Sequence, residues 1–120
     1  MEFSLVADAR LGESKILFDQ GKYHASIYLV GYVLEIKLKE LQYKKYGNFT
    51  QIHGLRELFQ KNGINSTFYK SEKWESLFVD AWDVEMRYRE DDFLDFGEED
   101  IQKIYFGACR LIGKIKRKLV

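Results

Sequence analysis

The feature that most constrains this chain is the absence of proline from all of its 120 residues. Proline is the strongest interrupter of helices, because its ring removes a backbone hydrogen bond and clashes with the preceding turn. Apolar residues meanwhile recur every three or four positions over long stretches, and no segment alternates with period two for long enough to predict a strand. The sequence therefore predicts an all-α fold.

The apolar periodicity predicts where the first and last helices lie. The clearest stripe, in the last helix, consists of Ile101, Ile104, Tyr105, Ala108, Leu111, Ile112, Ile115 and Leu119. The first helix is predicted over about residues 3–20, ended by Gly21. Its predicted buried face consists of Leu5, Ala9, Gly12 and Ile16.

Three further helices are predicted between these two. The second covers about residues 22–46, ends at Gly47-Asn48, and is predicted to be buried along Ile27, Gly31, Leu34, Leu38 and Leu41. A short helix is predicted over residues 53–61 with Thr50 as its cap. The fourth long helix is predicted over about residues 66–89, with a stripe of Trp74, Leu77, Phe78, Ala81, Val84 and Tyr88.

These elements predict a single domain over residues 1–120, an antiparallel up-and-down bundle of four long helices plus one short helix. The longest uncharged apolar run, residues 25–34, is too short to span a bilayer, so we expect no membrane association. The single cysteine, Cys109, cannot form an internal disulfide, which predicts a cytoplasmic location. Two distant histidines and one cysteine have no metal-ligand spacing, and we expect neither a metal nor a cofactor.

The charges cancel, with 19 basic and 19 acidic side chains, but they are segregated along the chain. Basic residues close the second and last helices, and an acidic block covers residues 90–100. We interpret this pattern mainly as complementation of helix dipoles, because cations favour the C-terminal end of a helix and anions the N-terminal end. The aromatic residues Tyr43, Tyr46, Phe49, Phe68 and Tyr69 lie near the predicted loops, where they could stack a base or pack.

Four segments, in order, resemble the HEPN domain family. Residues 20–23 (QGKY) and the helix leading into residues 34–39 (LEIKLK) are similar to the family's "G-x-Y … A-x-E-x-x-L-K" pattern. Residues 52–58 (IHGLREL) resemble its "H-D-L-x-x-L", residues 85–88 (EMRY) its "x-A-R-Y", and the amphipathic last helix completes the set. The resemblance covers nearly the whole chain and agrees with the predicted bundle.

The resemblance implies an antiparallel bundle that forms a homodimer. It also implies a nucleotide ligand, or a partnership with a minimal nucleotidyltransferase protein in a toxin–antitoxin pair. Ribonuclease members carry Arg, four to six residues, then His, near the start of the last helix. There the histidine would act as acid–base on a phosphodiester and the arginine would stabilise its charge.

This chain departs from the ribonuclease pattern. Its only histidines are His24 and His53, and neither follows an arginine at that spacing. Carboxylates follow Arg87 and Arg89 instead, and these repel a phosphodiester and are already deprotonated at neutral pH. The sequence therefore favours a binding module without catalysis of its own, and nucleic-acid binding is left open. The alternatives are a divergent metal-independent RNA-cleaving toxin that uses Arg87 and Tyr88, or a purely structural dimerisation module.

The predicted ligand-binding residues are Glu35, Lys39, His53, Arg87, Tyr88 and Arg89. Glu35 lies beside the buried face of the second helix, so its carboxylate needs a cationic partner, either Arg87 or Lys39. That pair either fixes helix register or also contacts a ligand phosphate. The guanidinium of Arg87 fits phosphate oxygens, whereas Arg89 is interpreted mainly as neutralising the acidic block. His53 is interpreted mainly as a local cap or packing residue.

Overall fold

A computed structural model describes residues 3–51, 54–82 and 96–120 of the chain. These ranges contain helices and no strand, which confirms the all-α prediction. The helices are α1 (Phe3–Asp19), α2 (Tyr23–Tyr46), α3 (Leu55–Lys61), α4 (Thr67–Lys70), α5 (Lys73–Ala81) and α6 (Glu98–Leu119). Among them, none is both long and apolar enough to cross a membrane.

The side-chain contacts between helices show the up-and-down arrangement. At one end of the bundle, the Tyr23 hydroxyl at the start of α2 donates a hydrogen bond of 2.8 Å to Glu98 at the start of α6. At the other end, Lys44 Nζ in the last turn of α2 donates a bond of 3.0 Å to the carbonyl oxygen of Leu119 in α6. Helices α2 and α6 therefore run parallel, whereas α1 returns antiparallel to α2 after a three-residue link.

Helices α1 and α3 end in the same backbone motif, with a glycine in the left-handed region. Gly21 has φ = 76° and Gly63 has φ = 70°, values that side chains with a Cβ rarely adopt. The amide of the following residue bonds back across each turn, Lys22 N to Leu17 O at 2.8 Å and Ile64 N to Phe59 O at 3.0 Å. This pattern satisfies carbonyls that the helix ends leave open, and it confirms the predicted ends.

The predicted helix over residues 66–89 is interrupted in the structure. It divides into α4 and α5, separated by Ser71 and by Glu72, whose backbone is extended at φ = −122° and ψ = 122°. Helix α5 ends at Ala81, and its C-cap residue Trp82 has ψ = 132°. The indole Nε1 of Trp82 donates a hydrogen bond of 3.1 Å to the carbonyl of Tyr28. Residues 83–89 of the prediction lie outside the described residues.

The start of the short helix also differs from the prediction. Helix α3 begins at Leu55 with Gly54 as its N-cap residue, and Gly54 O accepts the amide of Leu58 at 3.1 Å. Thr50 is not the cap, because Gly54 occupies the N-cap position; the backbone amide of Thr50 donates to the side-chain oxygen of Gln42 at 3.2 Å. The predicted first residue of this helix, His53, lies outside the described residues.

The predicted buried face of α1 is wrong. Leu5 is 66% exposed and Ile16 59% exposed, and Ala9 and Gly12 are exposed as well. The helix instead buries Ala7 and Ser14 against the rest of the bundle. Apolar residues recur at helical period on both faces of α1, so the periodicity alone does not decide which face is buried.

Helix α2 is the centre of the core, and α1, α3 and α6 all pack on it. Its predicted buried stripe is confirmed, and every residue from 33 to 39 is buried. The stripe of α6 is also confirmed, with Ile104, Ala108, Leu111 and Ile115 fully buried. Helix α5 reaches α6 closely because Gly107 has no side chain, and a Cβ there would lie 2.9 Å from the carbonyl carbon of Trp74.

Because Trp82 lies close to α2, we expect that a side chain added at Gly31 destabilises the fold. A methyl group on Gly31 would overlap the Trp82 indole nitrogen. We expect Gly31→Ala to lower the free energy of unfolding by about 1–3 kcal/mol, because overpacking forces the indole out of its site. Gly113→Ala is the matched control, since only Arg117 approaches that position, at 4.0 Å. Urea titration should show the control equal to wild type or more stable, and equal losses in both variants would contradict this account.

Candidate functional site

Glu35 and Lys39, the two predicted site residues within the described ranges, form an ion pair in the core. Lys39 Nζ lies 3.0 Å from Glu35 Oε2, one turn along α2, and the residues are 8% and 2% exposed. Glutamate four residues before lysine is the favourable order for such a pair. Of the two partners predicted for Glu35, Lys39 forms an ion pair with it in the described part of the chain. Whether this pair also contacts a ligand stays a prediction.

The remaining predicted site residues are His53, Arg87, Tyr88 and Arg89, and they lie outside the described residues. Their assignment to a ligand site stays a prediction, as does the coupling of Glu35 to Arg87.

A different group of side chains comes together at the end of the bundle where α2 and α6 finish. Because these helices run parallel, their basic last turns lie at the same end, with Lys44 and Lys45 from α2 and residues 116–118 from α6. Lys44 and Lys45 each donate to a backbone carbonyl, on Leu119 and Asn62 respectively. These bonds confirm the helix-end role expected from the sequence, but a carbonyl carries no net charge, so the positive charges remain.

A pocket of about 310 Å³ opens in this basic end, and we call it the lysine–Phe68 pocket. It is lined by Lys45, Asn62, Gly63, Ile64, Asn65, Thr67, Phe68 and Lys118. The lining contains two cations and no carboxylate. Within the described residues, no acidic side chain lies within ion-pair distance of either lysine.

One wall of the lysine–Phe68 pocket is held rigidly by Asn62, which is 1% exposed. Its side-chain nitrogen donates to the carbonyls of Leu38 at 3.1 Å and Leu58 at 2.8 Å, which ties the end of α3 to α2. Lys45 Nζ donates to the Asn62 carbonyl at 2.7 Å, which holds this ammonium group at the pocket edge. The loop after α3 is thus fixed on the central helix.

Phe68 provides an aromatic surface beside the cations. Its ring lies 5.9 Å from that of Phe59, which is buried, and this contact anchors it. The ammonium groups of Lys114 and Lys118 each lie 5.4 Å from the Phe68 ring centroid, within the range of cation–π attraction. An aromatic face and several ammonium groups therefore share one small region.

Lys114 is held in place by a buried carboxylate from α5. Its Nζ lies 2.9 Å from Glu75 Oε1, and Glu75 is only 2% exposed. Arg110 approaches the same carboxylate at 3.9 Å and also Glu72 at 3.4 Å. This network joins α5 to α6 and fixes the side of α6 that faces Phe68.

A second pocket, of about 440 Å³, lies between α1 and α6 and includes Phe18, Tyr105, Phe106 and Cys109. Burial raises the pKa of Tyr105 to about 12, although its hydroxyl lies 3.1 Å from Ser14 Oγ. Burial also raises the pKa of the Cys109 thiol, against the opposing effects of Tyr105, Lys15 and Arg110. Both groups are therefore protonated at neutral pH. In that form neither acts as a nucleophile or a general base.

The helical bundle with these sites matches a known family. The model of the HEPN domain matches residues 4–118, which is nearly the whole chain. The chain belongs to the HEPN domain family, as its motifs predicted. This family comprises nucleotide-binding and ribonuclease-like modules. Searches of curated proteins and of solved structures gave no match.

None of the residues that line the lysine–Phe68 pocket is among the predicted ligand-binding residues. The sequence showed its parts separately, as two basic helix ends and an aromatic residue near a loop. The signal that joins them is the up-and-down order itself, because the second and fourth long helices of such a bundle run in the same direction. Their basic ends therefore lie at the same end of the bundle.

The buried pair on α2 predicts a non-additive response to mutation. We expect Lys39→Met to lower the free energy of unfolding by about 3 kcal/mol, because the Glu35 carboxylate loses its lysine in the core. Glu35→Gln should also destabilise, and the double variant should recover part of the loss. A double-mutant cycle from urea denaturation measures this coupling. Additive losses would show that the two side chains do not interact, contrary to the structure.

Proposed function

We propose that this HEPN domain binds a nucleotide in the lysine–Phe68 pocket and has no catalysis of its own. The observation that supports this proposal is the pairing of Lys45 and Lys118, which no described carboxylate neutralises, with the aromatic ring of Phe68. Bringing like charges together at one end of the bundle is unfavourable, and an anionic ligand would relieve that repulsion.

The chemistry of the lining fits the parts of a nucleotide. An ammonium group is a compact charge suited to phosphate oxygens, and an aromatic ring is a stacking surface for a base. Asn65 and Thr67 add polar groups at the rim, and their loop is ordered by a bond of 3.0 Å from the Thr67 amide to Asn65 Oδ1. The volume of about 310 Å³ lies at the lower end of the range for small-molecule sites.

The absence of catalysis is proposed from the titratable groups of the chain. Residues 54–120 contain no histidine, so the last helix lacks the acid–base group of the family's ribonucleases. Cys109 and Tyr105, which line the second pocket, are kept protonated by burial. A nucleotide would then be bound without being cleaved.

For a partner we propose a minimal nucleotidyltransferase protein, paired with this chain as toxin with antitoxin. Its support is membership of the HEPN family and the resemblance of the motifs. We propose the cytoplasm as the compartment, supported by a single cysteine that has no second cysteine to pair with. Native mass spectrometry of the purified protein would detect a nucleotide or a polypeptide that remains bound to it.

The pocket predicts how nucleotide affinity depends on its side chains. We expect isothermal titration calorimetry to detect ATP binding that weakens as salt rises, because the lysines contribute electrostatically. Lys118→Gln should weaken ATP binding about tenfold, the loss expected for one charged contact. Phe68→Leu should weaken ATP but not inorganic triphosphate, which has no base to stack. Lys103→Gln is the matched control, since Lys103 lies on α6 and pairs with Glu99 outside the pocket.

Three outcomes would contradict the proposed function. If ATP and triphosphate both fail to bind at low salt, the pocket is not a nucleotide site. If Lys103→Gln weakens binding as much as Lys118→Gln, the attraction is general rather than local. If the protein cleaves single-stranded RNA in the absence of metal, the non-catalytic part is wrong, and loss of cleavage in Arg87→Ala would favour the alternative of a divergent ribonuclease.

A further inference from the structure

Two adjoining cavities lie between α1 and α6. The larger is the second pocket, of about 440 Å³, and the smaller has a volume of about 170 Å³. Lys15 and Cys109 line both of them, and the other residues around the smaller one are Leu11, Ile112, Gly113 and Lys116. We call the two cavities together the α1–α6 groove. It shares no lining residue with the lysine–Phe68 pocket.

Three aromatic rings lie at one end of the α1–α6 groove, in the larger cavity. Phe18 of α1 stacks on Tyr105 of α6, with 4.3 Å between the ring centroids and 20° between the ring planes. Phe106 lies 5.4 Å from Phe18 and is 48% exposed, so part of its ring is open. Aromatic rings attract one another in offset-stacked or edge-to-face arrangements. This end of the groove therefore favours a flat aromatic body.

The other end of the groove is positively charged. Lys15 and Lys116 both line the smaller cavity, and the described residues around it include no carboxylate. No acidic side chain in the described ranges lies within ion-pair distance of either lysine. Two ammonium groups in so small a space repel each other, and one carboxylate between them would form two charge-assisted hydrogen bonds.

Asp19 places a negative charge at the aromatic end. It lies four residues after Lys15 and lines only the larger cavity. Lysine before an acidic residue is the less favourable order for a pair on a helix, and no described cation lies within ion-pair distance of Asp19. Its carboxylate repels an anion, so the acid group of a ligand is directed toward Lys15 and Lys116.

We propose that the α1–α6 groove binds an aromatic carboxylate, with its ring system against Phe18 and Phe106 and its acid group between Lys15 and Lys116. This second ligand site goes beyond the proposed function and is independent of the nucleotide pocket. The volume of the larger cavity lies in the usual range for small-molecule sites. A mainly aromatic lining with a few charged groups that fix the orientation is also typical of such sites.

Titration of the full chain with 2-naphthoate, followed by amide nuclear magnetic resonance shifts, tests the site. We expect saturable shifts centred on Lys15, Phe18 and residues 105–116. Millimolar ATP, at matched ionic strength, should leave the dissociation constant of 2-naphthoate unchanged. 2-Naphthamide keeps the ring system without the charge and should bind about tenfold more weakly. Decanoate keeps the carboxylate without the rings and should also bind more weakly than 2-naphthoate.

Lysine substitutions test the position of the carboxylate. Lys15→Gln and Lys116→Gln should each raise the dissociation constant of 2-naphthoate about tenfold, the effect of losing one charged contact. Lys103→Gln is the matched control, because Lys103 lies on α6 outside the groove, and it should bind like wild type.

A glycine substitution tests the cavity itself. Gly113→Leu should abolish 2-naphthoate binding, because the leucine side chain fills the smaller cavity. The fold should tolerate it, since a Cβ on Gly113 meets only Arg117 Nη1, at 4.0 Å, and leucine is a better helix former than glycine. Urea denaturation should confirm unchanged or higher stability. Gly12→Leu is the matched control, since a Cβ on Gly12 meets nothing within 4 Å and Gly12 lines neither cavity.

Several results would overturn the proposal. They are an absence of saturable shifts at millimolar 2-naphthoate, shifts centred away from the α1–α6 groove, and displacement of 2-naphthoate by ATP. Unchanged binding in a folded Gly113→Leu variant would show that the cavity is not the site. Equal losses in Lys15→Gln and Lys103→Gln would show a general attraction to the basic surface. Decanoate binding as tightly as 2-naphthoate would overturn the aromatic part of the assignment.

Discussion

The burial of α2 on every side between residues 33 and 39 is the constraint on which the rest of the structure depends. This stretch contains Glu35, Lys37 and Lys39, and burying charge is costly unless each group has a partner. The pair of Lys39 with Glu35, at 3.0 Å, and of Lys37 with Glu40, at 3.8 Å, keeps these charges balanced along the same helix. Helices α1, α3 and α6 can then pack against α2 from several directions.

The parallel direction of α2 and α6 also determines where charge accumulates. The acidic first turn of α6 meets the start of α2 through Tyr23 and Glu98, and the basic last turns of both helices meet at the opposite end. Dipole complementation stabilises each helix separately, but it concentrates positive charge where α2 and α6 finish. The loop after α3 is held on α2 by Asn62, and it places Phe68 beside this positive charge. The two basic helix ends and the aromatic ring therefore line one pocket.

The sequence predicted α2, α6 and the end of α1 well because these features are encoded locally. Gly21 ends α1 and the apolar stripe of α6 is buried as expected. The buried face of α1 could not be chosen by periodicity, because Ala7 and Ser14 recur at the same helical period as the exposed residues Leu5 and Ile16. The break at Ser71 and Glu72 carries no glycine or proline, so the sequence gives no local signal for it. The pocket was missed because its parts are distant in sequence and meet only through the topology.

Nuclear magnetic resonance titration of the isotope-labelled chain with ATP tests the central claim most directly. Amide chemical shifts report directly which residues a ligand contacts, and the experiment requires no substitution. The account predicts that the largest shifts occur around Lys45, over residues 62–68 and at Lys118, with small changes at the start of α2 and at Glu98. Shifts concentrated at that opposite end of the bundle, or no shifts at millimolar ATP, would contradict it.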